Sequence, residues 1–146
     1  MHEPDGRIAA ARDVRNIVLR SGAELIARRF AGADGAGPID RVRVGFGQDV
    51  VSVDTAALTP PADAAVPASA LETALAPAAF TIATDKPGVV SVAVSAVFVP
   101  TVDLADVTEA ALASADRLYN QVVFEPVQLR VGQNVTFFWQ IDFPFG

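Results

Sequence analysis

The residues able to do chemistry are few, and their spacing narrows what that chemistry could be. The chain of 146 residues has a single histidine, His2, and no cysteine. Disulfides, thiolate metal sites and the usual histidine-based clusters and triads are therefore out of reach. A serine nucleophile would need a lysine as its base. The sole lysine, Lys86, stands in Asp85-Lys-Pro-Gly88, a strong turn signal, and no Ser-x-x-Lys spacing exists. Asp103, Asp106 and Glu109 are three apart and would align on a helix, but nothing there has the dense, glycine-pinned ligand spacing of a calcium loop. Solvated loop charge is the simpler reading. Among seventeen acids any two carboxylates can be imagined as an acid–base pair, so no pair stands out. Asn134-Val-Thr136 matches an N-glycosylation acceptor but lies in a strand-like run, where it reads as a polar strand face. The expectation is a protein that is not an enzyme, with no catalytic, cofactor-binding or metal-ligating residues and no cofactor.

Arginine is the remaining polar signal. From about residue 7 to 30, Ile8, Ala11, Val14, Ile17 with Val18, Leu25 with Ile26, and Phe30 recur at spacings of three and four, the period of a helix. Asp5 is a candidate N-cap, and Gly32 suits the C-terminal end. Gly22 inside this pattern costs about 1 kcal/mol relative to alanine, which implies a bend or a close backbone approach. The polar side carries Arg7, Arg12, Arg15, Arg20, Arg28 and Arg29 against Asp13 and Glu24. It reads either as a solvated face over a sheet or as a subunit-docking surface, with Arg12, Arg15, Arg20, Arg28 and Arg29 meeting an acidic neighbour. The rest of the chain is acidic: residues 50–146 hold three basic residues against ten acids, within a net charge of −6. That balance repels nucleic acid, and no basic stripe with interleaved aromatics relieves it. The first residues lack a basic segment followed by an apolar one, and the apolar run from Val89 to Pro100 is too short and too β-branched to span a bilayer. The expectation is cytoplasmic synthesis without membrane insertion.

The elements that would carry these residues are mostly strands. Val42, Val44 and Phe46 alternate with Arg41 and Arg43, and Gly45 and Gly47 around Phe46 suggest close backbone approach. Phe80 to Ala83 and Val89 to Val99 follow, the latter with Val90, Val92, Val94, Ala96 and Phe98 on one face. Residues 55–77 read as a surface excursion. Within it, Ser69 and Glu72 could form a capping box for two helical turns. Asp106 to Leu112 is either a short strand or a helical turn, and its alanines lean helical. Leu118 to Phe124 is β-rich, with Glu125-Pro126 marking its end. Val135, Phe137, Trp139, Ile141 and Phe143 then fall at every second position, with Phe138 as the intruder. The natural partner for this last strand is Leu118 to Phe124, through a connection over Pro126 to Gln133. So rich a core strand should tolerate little truncation. The fold class is mainly β: an antiparallel β-sandwich with an N-terminal α-helix. The division is a flexible N-terminus over 1–6 and a single domain over 7–146, with the helix at about 7–30, the sandwich at about 39–146 and the excursion at about 55–77. The core is expected to include Val44, Phe46, Val94, Leu118, Phe124, Phe137, Trp139 and Ile141.

Taken together, Val42-Arg-Val-Gly-Phe-Gly47, Thr108-Glu-Ala-Ala-Leu112, Leu118-Tyr-Asn-Gln-Val-Val-Phe124 with Pro126, and the run Val135 to Phe143 form an ordered series over about two-thirds of the chain. This series resembles small bacteriophage tail-associated structural proteins, including the base or collar regions of tail fibres and related pieces of phage-tail-derived contractile injection particles. Ala111 stands where that family usually has glycine, and Gln121 where it usually has arginine. The resemblance implies a structural subunit, an attachment or adaptor module near the baseplate or tail fibre. It would assemble into a phage or tail-like particle through contacts with itself and with other tail or baseplate subunits. A reading from a different class is a carbohydrate-binding β-sandwich module, which would show exposed Tyr, Trp or Phe beside polar groups.

Overall fold

Two antiparallel sheets face each other across an apolar core, and one helix lies on the outer side of the larger sheet. The computed structural model describes residues 15–47, 51–115 and 117–146. In chain order the elements are β1 (Arg15–Val18), α1 (Arg20–Ala31), β2 (Arg41–Gly45), β3 (Glu72–Ala74), β4 (Phe80–Ala83), β5 (Val89–Phe98), β6 (Leu104–Ser114), β7 (Arg117–Leu118), β8 (Asn120–Leu129) and β9 (Val135–Pro144). The larger sheet is ordered β1-β8-β6-β2-β3, with β7 also paired to β6, and the smaller is ordered β4-β5-β9. All pairings are antiparallel. The architecture is therefore mainly β and sandwich-like, with a helix near the N-terminus.

Side-chain alternation decides which face each sheet gives to the core. Val42 and Val44 of β2 stand opposite Leu112 and Ala110 of β6, and all four are buried in one cluster with Val122, Val127 and Leu129 of β8. Across from them, Val94, Ala96 and Phe98 of β5 stand opposite Trp139, Phe137 and Val135 of β9. Phe137 stacks on Trp139 and meets the Phe124 ring, each with centroids 5.9 Å apart. Phe46, Phe124 and Ile141 are partly buried against this cluster. Leu118 is buried instead in a second cluster on the outer face, with Leu19, Ala111 and Ala113.

Three expectations need correction, and two open readings are resolved. The helix does not run from residue 7: it starts at Arg20, and Arg15–Val18 is a strand paired with Asn120–Val123. Ile17 and Val18 are β-branched and fit a strand better than a helix. Residues 7–14, with Arg12, and the proposed Asp5 cap lie outside the described residues. Second, Glu125-Pro126 does not end its strand, because β8 continues to Leu129. Pro126 falls in the irregular stretch between the Val107–Val127 and Glu109–Val123 pairs, where a missing N–H is tolerated. Third, the partner of β9 is β5, in ten-residue register, and the connection after β8 crosses from one sheet to the other. The stretch left open between strand and helical turn is strand: Ala110 to Ala113 are buried on both faces, so packing overrides their helical propensity. Ser69 likewise belongs to a single 3-10 turn (Ala68–Leu71), and Glu72 opens β3.

The glycine signals have specific causes. A Cβ on Gly22 would collide with the backbone carbonyl of Tyr119, so only glycine lets α1 approach this closely. Ser21 Oγ donates to the Leu118 carbonyl at 2.7 Å beside it. Gly32 ends the helix at φ 68°, with its N–H returned to the Arg29 carbonyl.

Candidate functional site

On the outer face of the larger sheet, Gly45 of β2, Glu109 of β6 and Val123 of β8 share one row. Glu109 is 3 % exposed. Burying a carboxylate is costly unless donors replace its hydration. Here the Gly47 and Thr59 backbone N–H groups each donate to Oε2 at 2.9 Å, and Gln121 Nε2 donates to Oε1 at 2.7 Å. The Thr108 hydroxyl donates to the Gly47 carbonyl, and the Phe46 N–H to the Thr59 carbonyl at 3.0 Å. Gly45 and Gly47 are required because a Cβ at either would press on the Glu109 carboxylate. The carboxylate thus ties both ends of the segment between β2 and Thr59 to the middle of the sheet. Gln121 supplies an amide donor to Glu109, while its own Oε1 is buried without a hydrogen-bond partner. Three directed bonds from backbone and amide engage both oxygens of this carboxylate, which suits fastening the fold.

Of the arginines expected to dock a neighbour, Arg20, Arg28 and Arg29 are exposed but internally engaged. Arg20 Nε meets Asp54 at 2.6 Å, and that hydrogen bond raises the already high pKa of the guanidinium. Arg28 Nε meets Glu24 at 3.0 Å, and Arg117 reaches the same carboxylate at 3.2 Å. Arg28, then Arg117, hold the Glu24 carboxyl below the usual carboxylate range. Arg29 donates to the Ala36 carbonyl at 3.2 Å. The backbone of Arg15 belongs to β1, and Arg12 lies outside the described residues. On β2, Arg41 and Arg43 share Glu72 of β3 at 3.2 and 3.1 Å. The exposed pairs of Arg20, Arg28 and Arg117 contribute little each and are screened by salt, whereas those of Glu72 are half-buried.

Asp103, Asp106 and Asp142 go to separate partners. Asp103 accepts the Val131 N–H, and Asp106 exchanges side-chain and backbone bonds with Gln128 across the irregularity between β6 and β8. Asp142 of β9 accepts from Ser91 Oγ at 2.6 Å and from Gln140, and the Ser91 hydroxyl, then the Gln140 amide, hold it below the usual carboxylate range. Tyr119 and Trp139, the rings best suited to stack on a sugar, are both buried.

What the surface offers instead is apolar. Phe30, on α1, is 96 % exposed, and Ile26 one turn earlier is also exposed. Phe138 and Phe143 of β9, Phe145 beyond it and Ile82 of β4 are exposed as well. Sequence reasoning placed Ile26 and Phe30 on the buried side of a longer helix; the face that α1 buries is centred on Gly22 and Leu25. The period identified a helix but not which of its stripes meets the sheet. No helix among the described residues is long and apolar enough to cross a membrane. No family model, curated protein or solved structure matches the chain.

Proposed function

We propose that this chain is a structural subunit of a phage tail or tail-derived injection particle, an attachment or adaptor module near the baseplate or tail fibre. It works through contacts with copies of itself and with other tail or baseplate subunits. The observation that carries this reading is the division of labour among the side chains. The polar groups with directed geometry, Glu109, Thr108, Arg20 and Asp142, are engaged in fastening the fold. Large apolar side chains, Phe30, Phe138, Phe143 and Phe145, are left in water. An exposed apolar surface has its use when another protein covers it. The ordered series of motifs from Val42 to Phe143 points to the same class.

The test is to tag the protein in its native host, lyse gently and separate large particles from the soluble fraction. Recovery with tube, sheath or baseplate proteins at a fixed stoichiometry is expected. A chain found alone and monomeric in the soluble fraction would sink this reading.

A further inference from the structure

The strand β9 has one edge with no partner among the described residues, and its geometry tells which groups that edge presents. The Phe145 N–H donates to the Gly88 carbonyl at 3.0 Å, extending the register in which Pro144 faces Val89. Hydrogen-bonded and non-hydrogen-bonded pairs alternate along an antiparallel ladder. The odd-numbered residues of β9 therefore point their backbone groups at β5, and Thr136, Phe138, Gln140 and Asp142 point theirs outward. Pro144 agrees with this phase, since its missing N–H falls on the open side.

The other sheet edges are short: β1 and β4 have four residues and β3 has three, with Glu72 of β3 held by two arginines. By contrast, β9 runs ten residues in unbroken register with β5, without lysine or arginine and with a single charge at Asp142. Long, regular, uncharged edges are what protein surfaces ordinarily avoid, because they template strand addition. Phe138 stands 44 % exposed beside this edge.

We propose that β9 pairs with β9 of a second copy, antiparallel about a two-fold axis at Phe138, joining two three-stranded sheets into one of six. The occupant is argued from self-complementarity. In this register Phe138 meets Phe138, Gln140 meets Thr136, and Asp142 meets Asn134, so no like charges oppose. Moving the axis to Asp142 would bring two carboxylates together, which is destabilising. Elsewhere two copies of a chain with net charge −6 repel, whereas β9 is almost neutral. The paired stretch would form about ten backbone hydrogen bonds, the number of a typical specific interface. The contact, from Asn134 to Asp142, is about 30 Å long, which fits a symmetric dimer of moderate affinity.

The chain has no native cysteine, which makes a cross-linking test clean. Facing residues in a hydrogen-bonded antiparallel pair lie about 5.5 Å apart at Cα, within disulfide range. Purified full-length protein is expected to sediment as a dimer at about 50 µM, a concentration that populates a micromolar complex. Under mild oxidant Phe138→Cys should cross-link almost completely, while Ser95→Cys, one strand inward on the same face, should not. Gln140→Pro removes an outward N–H without touching the ladder to β5, and should give a monomer with unchanged far-UV circular dichroism. Should that variant not fold, Phe138→Lys serves in its place. Three results would each overturn the proposal: a wild-type monomer; Phe138→Cys cross-linking no faster than Ser95→Cys; or a dimer that survives both substitutions. All are read on the isolated protein, so they stand apart from recovery in particles.

Discussion

A carboxylate shut away from water needs donors in place of its hydration shell, and Glu109 receives them from two separated backbone positions and a neighbouring amide. Removing the acceptor leaves those donors without a partner. Glu109→Ala should therefore lower stability by about 2–5 kcal/mol, read as a fall in the urea midpoint. Glu109→Gln should cost less, because the Gln121 amide can turn its now orphaned Oε1 toward the new side-chain N–H. A loss as large in the glutamine variant as in the alanine variant would show that charge, not acceptor geometry, fastens this site.

For the elements, the seat of α1 is decided by what it lacks. Gly22 lies against the Tyr119 carbonyl, so the helix cannot keep its position once a Cβ is present. Gly22→Ala gains about 1 kcal/mol of helix propensity but must lift the helix off Leu118 and Tyr119. The expected outcome is a net loss of about 1–3 kcal/mol in chemical denaturation, opposite in sign to the propensity alone. The close approach at Gly22 was legible from the sequence because glycine in a helix needs a reason. So were the inward faces of β2, β5 and β9, since period two reports a half-buried strand whatever it pairs with. Partner choice was not legible. Nothing in the alternation of Val135 to Phe143 says that β5 rather than β8 lies beside it. The register Arg15 to Val123 is equally invisible in local pattern, so β1 was absorbed into the helix. Ala111 and Ala113 misled for another reason: they are small because a second layer sits on them, a tertiary cause that local propensity does not report.

In the whole molecule, the two sheets share their largest apolar cluster, with Trp139 packed inside it from the smaller sheet and Val42, Leu112 and Leu129 from the larger. Neither sheet retains a covered inner face without the other. Unfolding should accordingly be one cooperative transition: the emission of Trp139, the only tryptophan, and the far-UV circular dichroism should trace the same urea curve. Separate midpoints would mean that the sheets are independent units. The pairing of Arg15–Val18 with Asn120–Val123, and of Val89–Phe98 with Val135–Pro144, also sets an order in time. While the polypeptide is being synthesised, β1 waits more than a hundred residues for its neighbour, and the apolar face of β5 waits until β9 has emerged. The larger sheet cannot close before β8 is made, nor the smaller before β9, so productive folding belongs to the moments after β9 has emerged. A nascent chain halted before that point would carry Val94, Ala96 and Phe98 uncovered, and would be a substrate for chaperones or a seed for aggregation.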